Sequence, residues 1–408
     1  MSTQICSAPF TGILIDTDKS IKPCCAYGDQ QPFGRPRARA TTLQNNNDFG
    51  VMSDSYRLKD IIESKQRKRI QDITRKNKIP IGCRTCDRSY QRTGRSQKMN
   101  WVSLPEDGGR LYPGWQDNIT SLELNNSNTC NLSCAPCNSF FSSSWLKYEE
   151  MLPSDLIRHQ KRPPTTSFDI VSHLKEIDLT HLKVLTIKGG EPFMNPELLP
   201  VLQHLLEINV LQDLIIKLVT NGTILGKEIK GIKLLLEKAK RIIITISVDG
   251  VGDVGTYIRY SPQQFAKVEN IEKFLITFED QRNVKFHLFP TIQVYNIFSL
   301  DKIVEWWGTM VNKYENVYDS IQLNHFVFQP NYLSVSVLRP HIIEKIIQYY
   351  KNKDDQRYEK LITSLCKITY LGNQVHNEMV KYTLEMDKIK GQNVFESIPE
   401  LADEMILR

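Results

Sequence analysis

The chain has 408 residues, of which 40% are hydrophobic, 9% aromatic and 24% charged, an ordinary globular composition with enough apolar side chain for a sizeable core. The formal net charge of +6 is unevenly placed: residues 31–100 hold 17 Lys+Arg against 6 Asp+Glu, a net of +11, which leaves −5 for the remainder. No apolar run approaches the roughly 20 residues that span a bilayer, and residues 1–16 lack a basic segment ahead of a long apolar stretch. No membrane partner and a cytoplasmic location are therefore expected.

In chain order, residues 1–28 read as a short hairpin-like piece, with Gly12-Ile13-Leu14-Ile15 running into the turn Asp16-Thr17-Asp18. Residues 29–50 are rich in Gln, Asn, Arg and Pro and read as a loop. A helix is predicted from the caps Ser53 or Asp54 to about Asn77, on the spacing of Leu58, Ile61, Ile62, Ile70 and Ile73, with Pro80 beyond its end. Its Arg67-Lys68-Arg69 run would suit nucleic acid or an acidic peptide, and equally a solvated helix face. Residues 104–118, with Pro105, Gly108, Gly109, Pro113 and Gly114, read as a linker.

From residue 119 strands and helices alternate. Strands are predicted at 119–124, 182–188, 214–220, 241–248, 284–294 and 321–328, with helices at 196–208, 225–239, 262–277 and 299–314. Repeated strand–helix units call for a parallel sheet with right-handed crossovers. Six units are too few for a closed eight-stranded barrel, so the expected class is α/β, a partial (β/α)6 barrel with ligands at the C-terminal strand ends. The expected division is a cysteine-rich module at 1–103, the linker 104–118, the barrel at 119–338 and a helical C-terminal extension at 339–408.

Nine cysteines in a chain without an export signal argue against disulfides. Cys6, Cys24, Cys83 and Cys86 form an early group, and Cys130, Cys134 and Cys137 form a tight triplet just after the first barrel strand. Cys25 adjoins Cys24, and Cys366 stands alone. Three thiolates from one loop can wrap a 4Fe-4S cluster and leave one of its irons open, since such a cluster normally takes four. A zinc site would want a fourth ligand, and no nearby His or Cys follows the triplet.

The spacing Cys130-x3-Cys134-x2-Cys137 resembles the signature of the radical S-adenosylmethionine superfamily, and the resemblance continues on successive strands. Lys188-Gly189-Gly190-Glu191-Pro192 looks like the family's GGEP motif, which implies contact with the methionine end of the cofactor by Gly189, Gly190 and Glu191. Thr220-Asn221-Gly222 ends the third strand. Ser247 and Arg259 resemble the family's ribose and carboxylate partners, and Gln293 and Asn296 lie where polar cofactor contacts are often placed. A planar guanidinium fork suits a carboxylate. Pro136 departs from the family, which usually has an aromatic residue there.

Cys6, Cys24, Cys83 and Cys86 look like the twitch or SPASM auxiliary-cluster modules, here ahead of the barrel, which implies a second 4Fe-4S cluster. Pro23 before Cys24 keeps the pattern, whereas Lys19 stands where the family often has Gly. Zinc suits Cys83-x2-Cys86 equally well, and spacing leaves Cys24 and Cys25 as alternatives. The resemblance implies reductive cleavage of S-adenosylmethionine to a 5′-deoxyadenosyl radical that takes a hydrogen atom from substrate, with an external one-electron donor. By analogy the substrate is a peptide or protein side chain. The alternatives are a nucleic acid or nucleotide-derived substrate, supported by the basic segment, and a non-catalytic iron–sulfur electron carrier.

Overall fold

The computed structural model of the protein describes residues 5–28, 49–93, 96–103, 110, 117–157, 168–225 and 227–406. The expected loop at 29–50 and linker at 104–118 lie almost wholly outside the described residues.

The hairpin consists of β1 (Gly12–Ile15) and β2 (Ser20–Lys22), and a short β3 (Gly50–Val51) pairs with β2. Its turn is closed by the Asp16 N–H donating to Ser20 O at 3.0 Å and the Lys19 N–H to Asp16 O at 2.9 Å. Lys19 sits in the left-handed region at φ 63°, a conformation that Gly adopts without cost and a residue with a Cβ does not.

The barrel strands are β4 (Ser121–Leu124), β5 (Val184–Ile187), β6 (Ile215–Thr220), β7 (Arg241–Ile246) and β8 (Val284–Leu288). One sheet runs in the order β3-β2-β1-β4-β5-β6-β7-β8. β1 pairs in parallel with β4, with Gly12 opposite Ser121 and Ile15 opposite Leu124, so the N-terminal hairpin extends the sheet. β4, β5 and β6 are also parallel. The bonds from the Arg241 N–H to Leu214 O and from the Ser247 N–H to Thr220 O keep a constant offset along the chain, the sense of a parallel pair. Every residue of β4 and β5 is buried, whereas β6 alternates strictly along its length.

Three predicted elements differ. β8 stops at Leu288, short of 294, because Pro290 has no N–H for the ladder. The segment 321–328 forms no strand: past that proline a single-residue bridge, Ile292 with Phe326, is what pairs it, and a second bridge joins Phe286 of β8 to Val317 ahead of the segment. The helix predicted from Ser53 is two helices, α1 (Leu58–Ile62) and α2 (Lys65–Arg75). Ser64 caps the second, its Oγ accepting from the Arg67 N–H at 3.1 Å, so the chain restarts there.

The chain falls into two compact units. The first comprises residues 1–128, 163–218 and 230–242. It includes α3 (Arg84–Thr93) and α4 (Leu198–Glu207), with Ile13, Leu122, Leu185, Leu202 and Leu205 in its core. The second comprises 129–162, 219–229 and 243–408. It carries α5 (Gly252–Ile258), α6 (Val268–Thr277), α7 (Leu300–Lys313), α8 (Pro340–Lys351) and α9 (Asn373–Lys390). Phe286 packs edge to face against Phe274 and Phe278, whose own rings are tilted to each other, in its core, 5.3–6.2 Å between ring centroids. No helix among the described residues is long and apolar enough to cross a membrane.

Candidate functional site

In the second unit the loop 129–137 has little regular structure of its own, and its backbone groups are satisfied from outside. The Ser133 and Ala135 N–H groups donate to Tyr260 O at 2.8 Å and Ile258 O at 2.7 Å. Trp145 Nε1 donates to Cys134 O at 3.0 Å, Ser144 Oγ to Cys130 O at 2.7 Å and Ser142 Oγ to Leu132 O at 2.6 Å. Lys390, at the end of α9, donates from Nζ to Ser133 O at 2.7 Å inside a cage of Trp145, Tyr148 and Tyr260, 4.4, 5.4 and 4.9 Å from the ring centroids. The loop is clamped on both sides, which leaves its three cysteines half-buried.

Donors meet two of the thiols. Asn221 Nδ2 lies 3.9 Å from Cys130 Sγ, and Arg259 Nη1 lies 3.8 Å from Cys134 Sγ. Asn221 is fixed by accepting from Thr223 Oγ1 at 2.6 Å and donating to Asn131 at 2.9 Å. Arg259 is buried and its Nε pairs with Asp249 Oδ2 at 2.9 Å. Burial pushes the Cys134 thiol up, and Arg259 pulls against it. Burial works to lower Arg259, but Asp249, Cys134 and Cys130 outweigh it and the guanidinium is held above its usual range.

Asp249, fully buried, is held in turn. Its Oδ1 accepts from the Thr291 N–H at 2.8 Å. Asn296 Nδ2 donates to Asp249 O at 2.9 Å and to Thr291 O at 3.0 Å, and its Oδ1 accepts from the Gln293 N–H at 2.8 Å. Asn296 thus fastens this corner and keeps no N–H for a ligand. Gln293 is different: its side chain is fully buried, and among the described residues neither Oε1 nor Nε2 has a hydrogen-bond partner. An orphaned buried amide is costly, and a polar ligand would satisfy it. Ser247 follows β7 and is half-buried.

In the first unit Gly189 and Gly190 follow β5 with φ 79° and 48°. A Cβ on Gly189 would stand 3.0 Å from Asn125 Cα and from Ser127 O, so the motif needs Gly there. Glu191 is fully buried and accepts from the Phe193 N–H at 3.2 Å, capping the turn that follows.

The same unit gathers Cys6, Cys24, Cys83 and Cys86. The Cys6 thiol is pushed up to about 11 by burial, with Cys86 adding to the rise. Cys24 goes up by burial and through Cys25, Cys6 and Cys83, and Cys83 by burial and through Cys6 and Cys86. Cys86 Sγ donates to Ser96 Oγ at 3.4 Å. Two glycines permit the cradle. A Cβ on Gly82 would fall 2.5 Å from the Tyr27 ring, and one on Gly12 would fall 2.3 Å from Pro23 O. The Cys25 thiol, also raised by burial, feels Glu123, Lys188 and Arg110, a different set from its neighbour.

Among the described residues no three His, Cys, Asp or Glu side chains converge to hold a single metal ion. The Asp249 partner of Arg259, the Lys390 cage and the glycines of the cradle went unassigned in the sequence. Asp249 stands two residues after Ser247 but is silent about its partner, and Lys390 lies 253 positions beyond Cys137.

No family model matches the chain, and no curated protein matches it. It is similar to solved structures. One described as native anSMEcpe with bound AdoMet is 18% identical, covering 64% of this chain and 66% of that one at a TM-score of 0.38. Another, described as Streptococcus suis SuiB bound to precursor peptide SuiA, is 13% identical, covering 76% and 55% at a TM-score of 0.36. The matches span less than two thirds of those chains' lengths.

Proposed function

We propose that this chain is a radical S-adenosylmethionine enzyme that acts on a peptide or protein side chain. One observation carries the reading: three thiols from a single clamped loop, with Arg259 at Cys134, Asn221 at Cys130, and the orphaned Gln293 amide on the scaffold that holds Arg259's partner Asp249. Cys130, Cys134 and Cys137 would hold a 4Fe-4S cluster and Cys6, Cys24, Cys83 and Cys86 a second one. When bound, the open-sited cluster with S-adenosylmethionine supplies a one-electron cleavage that yields a carbon radical able to take hydrogen from substrate.

The chain's own residues do the rest. Arg259 offers its fork to a carboxylate and its charge to the thiolates. Gln293 offers a buried amide to a polar ligand. Gly189, Gly190 and Glu191 shape the turn that the sequence resemblance assigns to the cofactor's methionine end, and Ser247 is assigned its ribose. Between Cys24 and Cys25, the set of neighbours favours Cys24 as ligand, because it senses Cys6 and Cys83 while Cys25 senses charged side chains. The peptide substrate follows from the resemblance to auxiliary-cluster enzymes by analogy.

The test is anaerobic. Protein reconstituted with iron and sulfide and reduced with dithionite should form 5′-deoxyadenosine from S-adenosylmethionine, and Cys134→Ala should form none. Failure of the intact, cluster-loaded protein to cleave the cofactor would overturn the reading.

A further inference from the structure

The carbonyls of the loop 129–137 are not all held alike. Cys134 O accepts from the neutral indole of Trp145 at 3.0 Å, Cys130 O from Ser144 Oγ at 2.7 Å and Leu132 O from Ser142 Oγ at 2.6 Å. Ser133 O accepts instead from the Lys390 ammonium at 2.7 Å. A neutral donor would hold that carbonyl too, and an ammonium is the more costly group to bury. Lys390 is nonetheless only 7% exposed. The end of α9 does not ask for the buried charge either. Lys390 O accepts from Tyr260 OH at 2.8 Å, and Lys388 in the same turn is exposed and can meet the helix dipole from solvent.

The surroundings hold the charge in place beside the cysteines. The rings of Trp145, Tyr148 and Tyr260 lie 4.4, 5.4 and 4.9 Å from Nζ, and such contacts offset the loss of water while leaving the charge intact. Asp387, one turn earlier, accepts from Tyr257 OH at 2.8 Å and from the Val394 N–H at 2.7 Å. Ser133 immediately precedes Cys134, where the charge is felt. Burial pushes that thiol up, Arg259 pulls it down, Asp249 adds to the rise, and Lys390 pulls it down. Arg259 shares its charge with Asp249 at 2.9 Å, whereas neutral rings surround Lys390.

We propose that Lys390 raises the reduction potential of the cluster held by Cys130, Cys134 and Cys137, so that an external one-electron donor can fill it. The proposal rests on the function given above. Filling the cluster moves one electron from the donor and breaks no bond. The cluster's charge becomes more negative by one, and a fixed cation beside the ligand loop favours that state, the more so where water is excluded. Lys390 is thus a positioning residue: it acts on the cluster through the loop and through its field.

The experiment uses the full chain, reconstituted anaerobically with iron and sulfide and poised at fixed potentials. The reduced triplet cluster is read as the electron paramagnetic resonance signal that Cys134→Ala lacks. Lys390→Gln and Lys390→Arg both carry N–H donors, but only Arg keeps the charge. At a given potential Lys390→Gln should lower the ratio of reduced to oxidised cluster about tenfold, which is 59 mV for one electron. Lys390→Arg should stay within about threefold of wild type. Ser142→Ala removes a neutral clamp, the bond to Leu132 O, and should also stay within about threefold. A Gln variant within that range, an Arg variant shifted as far as Gln, or a Ser142→Ala variant shifted as far as Gln would overturn the proposal. If the Gln variant takes up no iron, Lys390→Met carries the test under the same criteria. Loss of the cluster from both neutral variants would make the ammonium a structural requirement, and the proposal falls.

Wild-type formation of 5′-deoxyadenosine is measured alongside. Cofactor cleavage without the shift sinks the role of Lys390 alone. The shift without cofactor cleavage sustains that role and sinks the radical reading. The absence of any signal that depends on Cys134 sinks both.

Discussion

Removal of Arg259 should cost far more than the loss of a ligand contact. Its Nε pairs at 2.9 Å with Asp249, a carboxylate that is fully buried and, among the described residues, otherwise accepts only the Thr291 N–H at 2.8 Å. Arg259→Ala leaves that charge buried without its counter-charge, which costs about 3–5 kcal/mol, against at most about 1 kcal/mol for an exposed pair. Set against a urea slope of roughly 1–3 kcal/mol per M, the midpoint should fall by about 1 M or more. The double variant Arg259→Met, Asp249→Asn keeps the acceptor for Thr291 and removes both charges, so most of the loss should return. Neither variant should bind S-adenosylmethionine with wild-type affinity, because both lack the fork. Urea unfolding by circular dichroism, with calorimetry for the cofactor, separates the two effects. A single variant within about 0.3 M of wild type would show that the pair is solvated and refute the reasoning, as would a double variant no more stable than the single one.

Lys217 should make stability rise with pH. Burial first, then the nearby cations, pull it down to about 8 from the ordinary lysine value of about 10.5, so between these the unfolded chain binds more protons. A penalty of about 3 kcal/mol present below about pH 8 should be relieved as the pH climbs to about 10.5. The difference between wild type and Lys217→Met isolates it, and a flat difference across that window would count against it. Lys19→Gly should stabilise by up to about 1 kcal/mol by relieving the left-handed backbone at φ 63°, less what the Lys19 ammonium gains 5.2 Å over the Phe168 ring; a lowered urea midpoint would refute it. Gly82→Ala should expel the Tyr27 ring and cost the N-terminal group about four irons while the triplet keeps about four; unchanged iron content would show that the cradle tolerates the methyl. Lys390→Met removes a buried cation–π contact of about 2 kcal/mol together with the bond to Ser133 O, and should speed amide exchange across residues 130–137. Unchanged exchange there would remove Lys390 from the clamp.

The sequence by itself determined the α/β class, the order of five of the six barrel strands, and the position of the cysteine triplet just after the first of them. These features are local: hydrophobic period, Gly and Pro punctuation and cysteine spacing all act over a few residues. It could not determine the sixth strand, because whether 321–328 pairs depends on Pro290 ending its neighbour. Nor could it decide that the hairpin joins the sheet at β4, since parallel pairing of residues 12–15 with 121–124 is a contact across more than a hundred positions. Spacing left Cys24 and Cys25 equivalent, and only tertiary packing sets one among thiols and the other among charges. Asn296 stands in the sequence where polar cofactor contacts are often placed, and only the fold shows its amide tied to Asp249 O and Thr291 O. The reason is common to these cases. Residue type and spacing fix which chemistry a side chain can offer, but burial and the charges brought beside it fix which of its partners remain free, and those are set only when distant segments pack.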